Sequence, residues 1–347
     1  MKKISVLLVI LLLTSVAFVG CGGSNTAAEN EGENSEVYTI KIAELVTTEN
    51  PSHIGLEYLG EQLREKSDGR FDLKIFPNGE ISSSDREQVE MAQNNVMQMA
   101  VPPSFILSSM HPELKTFNIF DVPYLFTNEE DLYGFVESDM GKKMKEDVLE
   151  YTGLRMYGTY GGGKVKISTN SKPIKSPADL ENLDIRVMKA DTYVETVKAW
   201  GANPTPMAYS EVYTALQQGT VDGMMTRTML YVSDGFTEVQ KYMGTVDPSY
   251  LVFSPLVNNE WYESLPEDLQ AIFDECMDDY VRHVGQLEAE AEKEALDIIR
   301  DRGVVVTEYT PEELQVFIDA AKPIWDGLAD AVGGKEFLDG CIEYVNK

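Results

Sequence analysis

Ile185-Arg186-Val187, then one helix, then Gly201-Ala202-Asn203-Pro204-Thr205-Pro206-Met207-Ala208-Tyr209-Ser210-Glu211-Val212-Tyr213-Thr214-Ala215-Leu216-Gln217-Gln218-Gly219, closing on Val221-Asp222-Gly223: this stretch decides the fold. Asp184–Met188 alternates as a strand and Thr192–Trp200 keeps helical spacing. Thr205–Met207 reads as a second strand, Ser210–Gln218 as a second helix and Gly223–Thr226 as a third strand. Ser210 is a suitable N-cap residue and Gly219 a suitable C-terminal stop. Strands and helices alternating at this interval predict an α/β layer with largely parallel pairing.

The same alternation extends outward. Upstream, Tyr38–Leu45 and Arg70–Phe76 alternate as strands around a helix over Pro51–Lys66, with turn chemistry at Pro77-Asn78-Gly79. Asp85–Asn94 reads as a helix and Val96–Val101 as a buried strand running into Pro102-Pro103. Leu154–Tyr160 and Lys164–Ser168 read as strands around Gly161-Gly162-Gly163, the form a crossover between lobes requires. Downstream, Pro266–Arg302 keeps helical period for about ten turns, long enough for two lobes to lean on. Val304–Thr307 is a short strand, Thr310 caps a helix opening at Pro311, and Lys335–Tyr344 closes the chain as a helix.

The N-terminus is a different kind of sequence. Lys2 and Lys3 precede an apolar and small-residue run from Ile4 to Gly20, and Cys21 follows, the pattern of a lipoprotein signal peptide over 1–20. Lipidated Cys21 anchors a protein to a membrane without spanning it. Residues 21–36 hold no aromatic residue, and only Cys21 precedes a run of Gly, Ser, Asn, Ala, Thr and Glu, so this segment reads as a flexible tether. About 310 residues remain, which suits two lobes better than one core. The expected division is lobe I over 37–162, with 252–290 returning to it, and lobe II over 163–251, with 291–347 packing on it.

The formal net charge is −29, and loss of residues 1–20 takes two lysines and no acid, leaving about −31. Such a surface repels nucleic acid and keeps a secreted protein dissolved. His53, His111 and His283 are too scattered for metal-ligand spacing, so neither metal nor cofactor is expected. Cys276 and Cys341 lie on helical patterns, where a disulfide and two buried thiols are both open readings.

Gly158-Thr159-Tyr160-Gly161-Gly162-Gly163-Lys164 fits the first seven positions of a phosphate-binding loop. Val165 follows where Ser or Thr must ligate Mg²⁺, and the segment continues as a strand instead of opening a helix. Nucleotide binding is rejected, and a hinge or a close backbone approach is left for the glycines. No Gly-x-Ser-x-Gly occurs, and acids are too abundant for any pair to be informative. An enzyme is not expected.

Arg186 is the candidate anion hook. Alternation puts Ile185 and Val187 on one face of the strand and Arg186 on the other. A surface ion pair is one role open to it. The other is a buried guanidinium whose planar fork grips a carboxylate. Lys164 and Lys166 sit on a neighbouring strand, as added positive field or as solvated charges. Tyr209 precedes Ser210, either covering a ligand at a helix start or stapling the helix.

Four segments together resemble the solute-binding proteins of tripartite ATP-independent periplasmic (TRAP) transporters: Glu113–Phe126, Ser168–Arg186, Gly201–Gly223 and Leu265–Gln270. The resemblance runs from about Tyr38 to the C-terminal helix. It implies a two-lobed, periplasmic-binding-protein-like α/β fold with hinge strands and a long helix spanning both lobes. It implies a receptor that closes over a small organic acid and passes it to an ion-gradient-driven permease outside the cytoplasm. Arg186 matches the arginine that such proteins use on a substrate carboxylate, and Tyr209 matches a ligand-contacting aromatic position. Lys166 falls where many members carry a second basic residue, and His53 falls near the cleft. The family usually continues Gln-Glu-Asn-Pro after Val221-Asp222-Gly223; here Met224-Met225-Thr226-Arg227 follows. Thr226 then stands in as a hydroxyl donor and Arg227 as a second cation, which leaves open which acid is bound. A receptor serving a sensor or an ATP-driven importer is the alternative, with a secreted acidic hydrolase behind it.

Overall fold

The computed structural model describes residues 36–347; the expected signal peptide, Cys21 and the tether up to residue 35 lie outside the described residues. Its strands are β1 Tyr38–Ala43, β2 Phe71–Phe76, β3 Met99–Ala100, β4 Leu154–Met156, β5 Tyr160–Thr169 and β6 Asp184–Val187. They continue as β7 Asn203–Pro206, β8 Gly223–Arg227, β9 Tyr242–Gly244, β10 Tyr250–Phe253, β11 Leu256–Asn258 and β12 Val305–Thr307.

β1 and β2 pair in parallel, Tyr38 opposite Phe71 through Ala43 opposite Phe76, joined by the Pro51–Lys66 helix. That helix starts where Asn50 accepts a hydrogen bond from the Ser52 amide at 3.0 Å and Pro51 supplies its first position. Leu56, Leu59 and Leu63 recur every three or four residues and bury with Ile40, Ile42 and Phe71. The Glu267–Asp301 helix lies against the same face. A Cβ on Gly55 would stand 2.9 Å from Val284 Cγ2, so a glycine sets how closely the two helices approach.

β3, β11 and β4 form a small antiparallel sheet. The expected Val96–Val101 strand shrinks to two residues. Asn95 holds a left-handed φ of 54° before it, and Pro102-Pro103 after it have no amides to donate.

The seven-stranded sheet runs β12-β9-β5-β8-β6-β7, with β10 added beside β5. β6 lies between β7 and β8, parallel to both, as the opening stretch predicts. The two strands expected around the glycines are joined differently: β4 is short, and β5 runs unbroken through Gly161-Gly162-Gly163. The glycines serve close packing there. A Cβ on Gly162 would meet Phe253 Cε2 at 2.4 Å and Arg227 Nη1 at 3.0 Å.

The long helix is 35 residues, Glu267–Asp301. Leu269, Phe273, Met277, Tyr280 and Val284 pack on the β1–β2 core, whereas Ile299 packs with Val212, Met224 and Val304 beside the large sheet. One helix therefore serves both lobes. The end of the chain departs from expectation. Phe317 stays with Val187 and Trp200 in the second lobe. After Pro323 the chain crosses back, and Leu328, Val332, Leu338 and Cys341 fill a core shared with Leu107, Phe117 and Phe135. The apolar stripe of Lys335–Val345 covers that phenylalanine cluster, so 291–347 is divided between the lobes instead of packing on one. Cys276 and Cys341 are free, buried thiols in separate cores.

Candidate functional site

Arg186 lies on the second face of β6, where the buried part of the strand borders a cavity. Ile185 and Val187 point into the apolar core, and the intervening side chain points away from it. Only 3% of Arg186 is exposed, yet it lines a cavity enclosing about 760 Å³ not filled by atoms, part of it open to solvent. Its Nη1 donates to the Met225 carbonyl at 3.1 Å and Nη2 to the Met207 carbonyl at 3.1 Å, with Met188 Sδ 3.5 Å from Nη1. Nε is buried with no partner. Among the described residues no carboxylate forms an ion pair with it. Burial pulls its pKa down to about 10, against the opposing influence of Tyr209 and Asp85, so it remains a cation at neutral pH. A dry guanidinium held by neutral carbonyls, with one donor idle, is short of one anion.

Arg227, at the end of β8, lines the same cavity in the opposite electrostatic condition. Nη1 contacts Glu288 Oε1 at 2.5 Å and donates to the Gly162 carbonyl at 3.2 Å; Nη2 donates to Asn50 Oδ1 at 3.2 Å. Its guanidinium lies 5.0 Å from the Phe253 ring centre. Burial works against its charge, but Glu288 more than offsets this and raises its pKa. Glu288 Oε1 also accepts from Ser52 Oγ at 2.8 Å. This cation is already matched.

The remaining expected residues divide. Thr226 is buried and lines the cavity. Tyr209 lines it too, with its hydroxyl donating to Asp234 and its ring edge-on to Phe236 at 6.1 Å. Tyr209 is the first residue of its helix, so Ser210 is not the cap; Ala208 takes that place and donates its amide to the Glu211 carboxylate at 3.1 Å. Lys166 stands opposite Thr226 in register, but it does not line the cavity. Its ammonium pairs with Asp247 at 2.7 Å and Glu292 at 3.2 Å, two acids that draw it away. His53 is buried behind the wall, its Nδ1 2.7 Å from Glu44 Oε2. That hydrogen bond raises the His53 pKa, whereas burial raises that of Glu44.

Three lining groups escaped the sequence reading. Glu44 follows β1 directly. Asp85 and Gln88 share one face of the Asp85–Gln93 helix, three residues apart. Burial lifts the Asp85 pKa to about 6, with the charge of Arg186 opposing the rise. Gln88 Nε2 is buried without an acceptor. In a chain with 58 acids nothing marks Glu44 or Asp85. Glu288 did leave a signal, because it continues the apolar spacing of Tyr280 and Val284 at a position where a leucine would be ordinary.

The model for bacterial extracellular solute-binding proteins, family 7 (DctP), matches residues 42–331. The chain is 27% identical over 303 residues to the C4-dicarboxylate-binding periplasmic protein DctP of Rhodobacter capsulatus, covering 87% of this chain and 89% of that protein. Among solved structures, a TRAP periplasmic solute-binding protein from Ochrobactrum anthropi, with its C-terminus bound in the ligand pocket, is 30% identical. It superposes with a TM-score of 0.78 over 90% of this chain and 95% of that one. A TRAP solute-binding protein from Shewanella oneidensis with bound succinate is 25% identical, with a TM-score of 0.82 over 90% of this chain and 100% of that one. On the family match, which spans most of its length, this chain belongs to the bacterial extracellular solute-binding proteins of family 7.

Proposed function

We propose that the protein is an extracytoplasmic receptor that captures a small organic acid between its lobes, with Arg186 gripping the carboxylate. The observation that carries this reading is the buried, unpaired guanidinium at the cavity wall, with Nε idle. Tyr209 covers the acid and Thr226 offers it a hydroxyl. Lys166 and His53 act from behind the wall and Arg227 from within it, each beside a carboxylate of the protein. The lobes, divided near residues 162 and 252, close about the crossover strands because a ligand touching both walls stabilises the closed form. Lipid on Cys21 holds the receptor at the membrane, where it hands its cargo to an ion-gradient-driven TRAP permease. Relatives solved with an organic acid in place support the ligand class.

The test is a thermal-shift screen of carboxylic acids followed by titration calorimetry. A true ligand at a hundred times its Kd stabilises the fold by about 2.7 kcal/mol. Arg186→Ala is expected to weaken that ligand by 2 kcal/mol or more, roughly thirtyfold, as when one member of a buried charge pair is lost. Unchanged affinity in Arg186→Ala refutes the assignment. For the anchor, Cys21→Ser is expected to move the protein from the membrane fraction to the soluble one, and retention on the membrane refutes that part.

A further inference from the structure

The balance of charge around the cavity narrows the ligand class. Two cations reach its surface, Arg186 and Arg227. Arg227 is spent on Glu288: its Nη atoms are occupied by Glu288, Gly162 and Asn50, and although its Nε, like that of Arg186, has no partner, its charge is already matched. Two acids reach the same surface, Glu44 and Asp85. Glu44 is matched by His53 behind it, with Glu57 beyond, 3.6 Å from the far ring nitrogen. Asp85 has no cationic partner within ion-pair distance among the described residues and faces Arg186 through space. Lys166, the remaining cation near the sheet, is held by Asp247 and Glu292 and does not line the cavity. Arg186 is therefore the one cation left for a ligand, and a single anionic charge is the most the site can neutralise, with Asp85 taking up a proton as it binds. The rest of the wall is largely apolar: Leu45, Phe105, Met188, Leu230, Leu251 and Phe253. A second carboxylate inside this enclosure would find acids or spent cations, and burying it unpaired is costly. Hydroxyls spread along a chain would lose water against the same walls.

We propose that the ligand is an acid with a single carboxylate on a mainly apolar body, and that small dicarboxylates are excluded. The inference rests on the receptor reading above, in that Arg186 takes the carboxylate. It sets this chain apart from those relatives whose names or bound ligands are C4-dicarboxylates. One neutral donor in the wall remains idle, Gln88 Nε2, and leaves room for a keto or hydroxyl oxygen on that body.

The experiment is a calorimetric comparison on the unaltered protein. The probes are 4-methyl-2-oxopentanoate and phenylpyruvate as apolar monocarboxylates, succinate and malate as dicarboxylates, and galactonate as a polyhydroxylated monocarboxylate. At least one apolar monocarboxylate is expected to bind about a hundredfold more tightly than succinate, malate or galactonate. Arg186→Ala should weaken that binding at least about thirtyfold. Asp85→Asn, which removes the unmatched acid, should strengthen succinate about tenfold, a gain that a misfolded variant cannot produce. If succinate, malate or galactonate binds as tightly as the best apolar acid and still needs Arg186, the ligand class is wrong and the receptor reading stands. If no acid binds, or binding ignores Arg186→Ala, both fail.

Discussion

Removing the carboxylate of Glu288 should unfold this protein more readily than removing almost any other acid. Glu288 and Arg227 are each only 1% exposed and in contact at 2.5 Å, and each is the other's one partner of opposite charge among the described ion pairs. Charge centres about 4 Å apart attract by about 4 kcal/mol at an effective dielectric of 20. Breaking such a pair by removing one member typically costs about 3–5 kcal/mol, because the survivor is left charged and dry. In Glu288→Leu, Arg227 would retain the Gly162 and Asn50 oxygens and the Phe253 ring, and Ser52 would lose its acceptor. The lower end, about 3 kcal/mol, is therefore expected.

Urea unfolding followed by far-ultraviolet circular dichroism measures it. With a slope near 3 kcal/mol/M, the midpoint of Glu288→Leu should fall by roughly 1 M. Arg227→Met should fall comparably, because it strands Glu288, whose Oε2 already has no partner. The double variant Arg227→Met/Glu288→Leu strands neither member of the pair and should recover at least about 2 kcal/mol relative to the sum of the single losses. If Glu288→Leu costs less than about 1 kcal/mol, or if the single losses simply add, the charge of Arg227 is not compensated by Glu288. The claim that only Arg186 is free for an anion then collapses with it.

Asp121 gives a pH signature. It is 1% exposed and accepts from Tyr193 at 2.6 Å, and burial carries its pKa to about 7 despite that hydrogen bond. The folded form thus holds a proton that the unfolded form releases from about pH 4, so this site loses stability as pH rises from about 4 through 7. At 1.36 kcal/mol per pH unit the ceiling is about 4 kcal/mol. Asp121→Asn should therefore melt progressively higher than the parent across that window, and a constant gap between the two curves would refute it. Asp85 predicts proton uptake on binding: a ligand carboxylate beside Arg186 pushes a carboxyl already near pH 6 further up. Calorimetry at pH 7 in buffers of different ionisation enthalpy should show uptake that Asp85→Asn abolishes; equal heats in every buffer refute it. Gly162→Ala should cost about 1–3 kcal/mol in a thermal melt, since its methyl would collide with Phe253. A melt within 1 °C of the parent would mean that β5 yields there.

Local periodicity made most of the fold legible. The βαβαβ run after residue 184 and the long helix follow from spacing within about ten residues. The returns of the chain were not legible, because nothing local distinguishes a stripe that packs on one lobe from one that packs on the other. Lys335–Val345 is amphipathic in either case, and only the phenylalanine cluster around Phe117 and Phe135 decides where it goes. Arg186 was legible for the same local reason, as a charge alternating with two core residues on a strand. Glu44 and Asp85 were not, since a carboxylate near a cavity and one in water look alike in sequence.

Which arginine is free depends on long-range pairing, which local spacing does not carry. Arg186 and Arg227 both sit on strands of the large sheet, 41 positions apart, and both are buried in the wall of one cavity. From sequence alone they make two hooks, the number a dicarboxylate needs. Glu288 comes 61 positions after Arg227, on the helix that leans on both lobes, and neutralises one of them. The same contact joins β8 to the long helix and through Ser52 to the first helix, so the group that removes the second hook also ties the cavity's two walls together. Selectivity against a second charge and cohesion between the walls are then one arrangement. A substitution at Glu288 that restores dicarboxylate binding must also loosen the fold, and a variant that gained succinate with no loss of urea stability would break that link.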